Sequence, residues 1–231
     1  MNKIASLAAD FIYLLYPEKC ITCEEALYNH EKIICTNCLL DIPKFMIKNY
    51  SDNEMAKLFW GRVKIEKTFA LYIFQKKGKF QQLMHELKYR NNKAVGLEFG
   101  KILGKKILKT KAFDDVDVII PVPLHWKKLK KRGYNQSQLI AESVSKELKK
   151  PLLTDVLYRK IETTTQTKKT RFQRWQNVED IFDIKNMQKV ENKHLLLIDD
   201  IVTTGATLEA CANCLLKAKN SKISIATLAV A

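Results

Sequence analysis

The densest chemistry lies in one run of thirteen residues, Leu195-Leu196-Leu197-Ile198-Asp199-Asp200-Ile201-Val202-Thr203-Thr204-Gly205-Ala206-Thr207. Four apolar residues in a row read as a buried parallel strand. Two carboxylates follow where that strand should end, and then a turn rich in Thr and Gly. Ionised Asp199 and Asp200 are pure acceptors, which suits vicinal hydroxyls or a magnesium ion. Gly205 lets the backbone come close to a ligand, and successive N–H groups at the start of a helix make a cradle for phosphate. Thr203, Thr204 and Thr207 add hydroxyl donors beside Ala206. Diol acceptors at one end and phosphate donors at the other fit a ribose 5-phosphate. A plain strand-turn-helix joint is the blander alternative, and Asp-Asp after a strand also marks magnesium sites of receivers and phosphatases. Those sites lack the Thr-Thr-Gly-Ala-Thr run, and a Walker loop would need a Gly-Lys-Ser/Thr ending that is missing here.

A second constellation is Cys20-Ile21-Thr22-Cys23 and Cys35-Thr36-Asn37-Cys38, two CxxC pairs separated by eleven residues. In a reducing compartment this spacing signals a metal rather than a disulfide. Four thiolates fill a tetrahedral ion and leave no open position, so the expected ion is a structural zinc; a redox dithiol and chance spacing are the alternatives. His30, between the pairs, reads as a loop residue. Cys211 and Cys214 also form a CxxC, but at helical spacing on one face, which predicts buried packing.

The elements that must position these groups follow from pattern. The 231 residues, 46% hydrophobic, suit one ordinary domain plus a small appendage. The division expected is residues 1–50 for an N-terminal helix (Ile4 to Tyr16) and the four-cysteine lobe, and 51–231 for the main domain. Asp41 to Glu66 shows little pattern and reads as the join. Thr68 to Phe74 is a strand; Phe80 to Lys88 and Ala94 to Lys109 are helices. Lys88-Tyr89-Arg90 reads as a polar helix end. Asp117 to Pro121 starts as a buried strand, broken by Pro121 and Pro123, and a helix runs from Leu139 to Lys149. Between them Lys127, Lys128, Lys130, Lys131 and Arg132 fill five of six positions. Arg159 to Asn177 is polar, basic and without period, as a functional or disordered loop would be. Asp180 to Phe182 reads as a short strand; Leu208 to Lys219 is helical; Ile223 to Val230 is a last buried strand.

The net charge of +15 points to polyanionic partners, with a solvated surface as the alternative. Trp126, Tyr134, Phe172 and Trp175 lie beside basic clusters, as in surfaces that stack single-stranded nucleic acid; core packing is the competing reading. No run reaches the roughly 18 apolar residues of a membrane span. The start reads as an amphipathic helix rather than an export signal, so the expected compartment is cytoplasmic.

The thirteen-residue run resembles the signature of the type I phosphoribosyltransferases, which bind phosphoribosyl pyrophosphate (PRPP). The resemblance implies that Asp199 and Asp200 hold the ribose hydroxyls, that Thr203 to Thr207 hold the 5-phosphate, and that magnesium accompanies PRPP. It implies a pyrophosphate loop after an earlier strand, here Pro123, Leu124, His125, Arg132, Asn135 and Gln136. It also implies a flexible loop at about 159–178 that closes over the sugar, with Arg171 and Arg174 facing pyrophosphate, and a parallel α/β sheet flanked by helices. Relatives are often dimers, so a homodimer is a further expectation. With the four-cysteine lobe, His85-Glu86-Leu87-Lys88-Tyr89 and Arg132-Gly133-Tyr134-Asn135-Gln136-Ser137 added, the whole chain resembles the ComF family. That family is linked to DNA uptake in transformation, which implies single-stranded DNA and other uptake proteins as partners. A non-catalytic PRPP- or nucleotide-sensing role is the alternative to phosphoribosyl transfer. No acceptor pocket is legible.

Overall fold

The computed structural model describes residues 17–28, 30–160 and 181–231. The expected N-terminal helix, the strand start at Asp180, Phe172 and Trp175, and most of the expected flexible loop, with Arg171 and Arg174, lie outside them.

Among the described residues the central sheet has the order β1-β6-β5-β2, with β1 at Thr68–Ile73, β2 at Val118–Pro121, β5 at His194–Val202 and β6 at Lys222–Val230. All three pairings are parallel, and Ile198 stands opposite Ala226 and Pro121. A short antiparallel pair, β3 (Leu157–Arg159) with β4 (Phe182–Ile184), stands apart from it. Both faces are covered, so the inner strands are apolar throughout. Leu196 and Ile198 share one core with helices α3 (Lys79–Tyr89), α4 (Lys93–Thr110) and α6 (Gln136–Leu148). Leu195 and Leu197 face the other way, into a second core with Met55, Phe59 and the helix α7 (Ala206–Leu215). Helices α4 and α6 lie very close: a Cβ on Gly100 would stand 2.6 Å from the Ile140 carbonyl oxygen.

Two stretches differ from expectation. Residues 41–66 do more than join. The Phe45 N–H bonds to the Leu71 carbonyl and the Ile73 N–H to the Pro43 carbonyl, so this stretch lines the outer edge of β1. It also carries a short helix, α2 (Glu54–Lys57), capped by Asn53 Oδ1, which accepts from the Met55 and Ala56 N–H groups. The basic cluster is helical too, as α5 (Trp126–Arg132), started by His125 Nδ1 accepting from the Lys127 N–H and stopped at Gly133 with φ +76°. It buries no residue, which is why apolar spacing gave no hint of it.

Helix α6 begins three residues earlier than predicted, because Asn135 Oδ1 caps it by accepting from the Ser137 N–H at 3.1 Å. Helix α7 stops at Leu215 rather than Lys219, where the Ser221 hydroxyl takes the Leu215 carbonyl at 3.0 Å and Asn220 turns left-handed. In the N-terminal lobe, Cys20 and Cys23 sit in a tight turn closed by Glu24 N–H to Cys20 O and Cys20 N–H to Glu25 O. A one-turn helix, α1 (Thr36–Leu40), begins right after Cys35. The buried Leu27, Ile33, Ile34 and Ile42 of this lobe belong to the same apolar cluster as Phe80, Leu83 and Phe99. No helix among the described residues is long and apolar enough to cross a membrane.

Candidate functional site

Asp199 and Asp200 lie near the carboxyl end of β5, where open α/β sheets bind ligands; the strand does not end before them as expected but runs on to Val202, because its pairing with β6 continues through Ala229 and Val230. Both are partly buried. Asp199 Oδ1 accepts from the Ser137 hydroxyl at 2.7 Å and from the Asp200 N–H at 2.9 Å. Asp200 Oδ1 accepts from the Ile201 N–H at 2.7 Å, and Asp200 Oδ2 lies 2.6 Å from Lys88 Nζ. Burial, reinforced by the charge of Asp200, pushes the Asp199 carboxyl up to about 7, against the opposing effect of the Ser137 hydrogen bond.

The Thr-Gly turn follows at once. Thr203, Thr204, Ala206 and Thr207 are exposed, while Gly205 is buried at φ +77° and serves as the N-terminal cap of α7. A Cβ at Gly205 would stand 3.0 Å from the Phe59 ring. Positive φ and that close approach together explain why the position is glycine. Arg62 braces the turn, donating to the carbonyls of Leu58 at 3.0 Å and Thr204 at 3.2 Å and pairing with Glu209 in α7. The turn leads into the N-terminus of the ten-residue helix α7, where backbone N–H groups and the helix dipole favour negative charge, and the Ala206 N–H reaches Thr204 Oγ1 at 3.5 Å.

The segment expected to bind pyrophosphate approaches the acidic pair through its last residues. Asn135 Nδ2 donates to the Val122 carbonyl at 2.9 Å, while the Val122 N–H donates to the Ile198 carbonyl at 2.9 Å. The start of α6 is thereby tied to the ends of β2 and β5, and Ser137 reaches Asp199. Arg132 donates to Gln136 Oε1 at 2.9 Å and lies over the Tyr89 ring. Gln136 is 2% exposed, and its Nε2 has no hydrogen-bond partner among the described residues. His125 is engaged in capping α5; Pro123, Leu124 and His125 are half-exposed on the approach to that helix.

Four contributors were not legible in the sequence. Lys88 was read as part of a polar helix end, yet it reaches Asp200. Phe59 and Arg62 sit in a stretch without period, and their role appears only against a loop more than 140 positions later. Ser137 belonged to a quoted motif without an assigned role, although a hydroxyl near a helix start was a usable signal.

The four cysteines of the lobe come together. Their Sγ atoms all lie within 4.8 Å of one another, with Cys23 and Cys35 at 3.7 Å. A tetrahedral ion with metal–sulfur bonds of about 2.3 Å spaces its ligands about 3.8 Å apart, so the donor set fits a metal ion such as zinc. The Cys35 N–H points at Cys20 Sγ at 3.3 Å, as backbone amides do toward bound thiolates. Among these close-set sulfurs, Cys20 and Cys23 shift in opposite directions. Burial raises Cys20, but hydrogen bonds from Thr22 and the Cys35 N–H outweigh it and bring it down to about 6. The Glu25 N–H lowers Cys23, yet desolvation and the sulfurs of Cys20, Cys38 and Cys35 drive it up to about 12. Cys211 and Cys214 are buried in α7, and burial pushes both thiols up, as packing residues rather than reactive ones.

Residues 135–231 match a family model described as "Phosphoribosyl transferase domain". The chain is similar to "Competence protein ComFC" of Bacillus subtilis, 38% identical over 112 residues that cover 48% of this chain and 43% of that protein. It is similar to "Competence protein F" of Haemophilus influenzae, 25% identical over 222 residues, 91% of this chain and 96% of that one. It also resembles "DNA utilization protein YhgH" of Escherichia coli O157:H7, 29% identical over 138 residues, 58% of this chain and 60% of that one. The match thus spans less than two thirds of the first and third of these relatives and nearly all of the second.

Proposed function

We infer that this chain is a ComF-family, phosphoribosyltransferase-like protein, and from that premise we propose that it binds PRPP with magnesium at the carboxyl ends of β2 and β5. One observation carries the reading: diol acceptors at Asp199 and Asp200 run straight into a braced, glycine-turned cradle of N–H groups at Thr203–Thr207. In this reading Asp199 and Asp200 accept from the ribose hydroxyls, and the cradle takes the 5-phosphate. The segment from Pro123 to Gln136 faces pyrophosphate, with Arg132 and the unpartnered amide of Gln136 as donors. Magnesium, which takes oxygen ligands from carboxylates, phosphates and water, would neutralise pyrophosphate charge beside Asp200. The protein's own contribution to phosphoribosyl transfer is to fix the sugar and stabilise the leaving pyrophosphate. Arg171 and Arg174 are proposed to join from the loop at about 159–178.

The lobe of residues 1–50 is proposed to hold a structural zinc through Cys20, Cys23, Cys35 and Cys38, in a cytoplasmic setting where thiols stay reduced. Residues 51–231 form the ligand-binding domain in this division. A homodimer is the proposed assembly.

The deciding experiment is calorimetry of PRPP with magnesium, followed by pyrophosphate release with ammonia and a panel of nucleobases. The wild type binds, and the D199N/D200N double variant loses binding by about 100-fold or more, since two acceptors vanish from one diol. A double variant that binds normally removes the assignment. Release that needs one acceptor makes the protein a transferase; binding without release makes it a PRPP sensor.

A second reading has its own observation. Lys127 lies over Trp126 and Arg132 over Tyr89, and both rings are well exposed, at 43% and 62%. Basic groups interleaved with open aromatic faces suit single-stranded DNA, in keeping with DNA uptake beside other uptake proteins. Affinity for an oligonucleotide is expected to fall steeply between 50 and 200 mM salt, by roughly 10-fold or more for a few phosphate contacts. A flat salt dependence counts against this surface.

A further inference from the structure

Lys88 sits in the last turn of α3 with its ammonium 2.6 Å from Asp200 Oδ2. The two side chains are 22% and 14% exposed. Other lysine–aspartate pairs of similar length are far more open on the acidic side: Asp115, Asp41 and Asp155 are 58%, 62% and 62% exposed. Exposed pairs hold little, but a half-desolvated carboxylate depends on its counter-charge. Three of the four oxygens of the acidic pair are already served by the chain itself. Ser137 and the Asp200 N–H serve Asp199 Oδ1, the Ile201 N–H serves Asp200 Oδ1, and Lys88 serves Asp200 Oδ2. The proposed diol site therefore carries a cation of the protein itself at Asp200 Oδ2.

We propose that Lys88 is a resident counter-ion that guards Asp200, and that it is displaced only by a ligand offering both a diol and an anionic oxygen. This rests on the reading of Asp199–Thr207 as the sugar-phosphate site. A bare divalent cation entering at Asp200 must expel an ammonium and meets its repulsion, so it binds weakly. A nucleoside or free ribose brings hydroxyls to Asp200 but leaves the displaced ammonium without an anion. A phosphorylated sugar brings both, and Lys88 moves from the carboxylate to a ligand phosphate oxygen. The site thereby selects against free metal and against unphosphorylated sugars.

The test measures binding of Mn²⁺ alone to zinc-loaded full chain by electron paramagnetic resonance, for wild type, K88M, K88R and K88M/D200N. K88M is expected to bind Mn²⁺ at least about tenfold more tightly than wild type, since a charge repelled at close range is gone. K88R should behave as wild type, and the gain should vanish in K88M/D200N. K88M with wild-type Mn²⁺ affinity overturns the proposal, as does a gain that survives in K88M/D200N. Should K88M fail to fold, the ¹⁵N ammonium signal of Lys88 in unaltered protein decides. It should shift on adding PRPP and stay unmoved with ribose; a signal that PRPP leaves unmoved overturns the idea. Calorimetry of the wild type keeps the two readings apart. If PRPP does not bind at all, the ligand assignment fails, while the Mn²⁺ series still reports whether Lys88 guards Asp200.

Discussion

Asp199 keeps its proton to about pH 7, first because it is buried and then because Asp200 is charged beside it. An unfolded aspartate releases its proton near pH 4. The folded chain thus binds this proton more tightly than the unfolded chain, and the folded state is favoured by acid at this residue. That contribution is present below about pH 4 and is lost as pH rises through the window from 4 to 7. D199N keeps the shape without the titration. The difference in Tm between D199N and wild type should widen in favour of the variant by on the order of 5 °C from pH 5 to pH 8. Thermal melts at both pH values check it, and a constant difference would mean that Asp199 ionises normally. The same residue shows how the pair differs in surroundings: Asp199 is buried and raised toward neutrality, while Asp200 lies against the Lys88 ammonium.

At the scale of elements, the site depends on how closely α4 and α6 approach, because α6 carries Ser137 to Asp199. A methyl on Gly100 would meet the backbone of α6 rather than a movable side-chain tip: Ile140 O at 2.6 Å and Ile140 Cα at 2.9 Å. G100A should therefore destabilise the chain by about 1–3 kcal/mol by forcing the helices apart, read as a lower denaturation midpoint. Its effect on PRPP affinity should exceed that of an exposed change such as K105A. These elements were legible where one physical signal dominated. Leu195–Ile198 could only be a buried strand, and the cysteine spacing located the lobe. What stayed illegible was structure held by partners distant in sequence. Phe59 and Arg62 follow no period because they answer to Gly205 and Thr204 rather than to a helix face. Helix α5 left no trace because it rests on caps alone, His125 at one end and Gly133 at the other. Helix starts were misplaced where a side-chain cap such as Asn135 decided them.

At the scale of the molecule, the four-cysteine lobe and the main sheet share one apolar cluster, so the lobe is not an independent bead on a string. A metal that organises Cys20, Cys23, Cys35 and Cys38 also fixes Leu27, Ile33 and Ile42 against α3 and its neighbours. Elemental analysis should find one zinc per chain. Stripping it with a strong chelator should lower the Tm of the whole molecule, not of a minor transition, by on the order of 10 °C; an unchanged main transition would show the lobe to be energetically separate. The bracing of the Thr203–Thr207 turn by Phe59 and Arg62 has a consequence in time rather than in affinity. The turn takes its shape as the chain folds, so an arriving phosphate has no slack backbone to organise. The positive field of a chain carrying +15 then draws anions toward a receptor already set. Association should be a single encounter whose observed rate climbs in proportion to ligand concentration and slows with added salt, with no plateau from a preceding rearrangement of the turn.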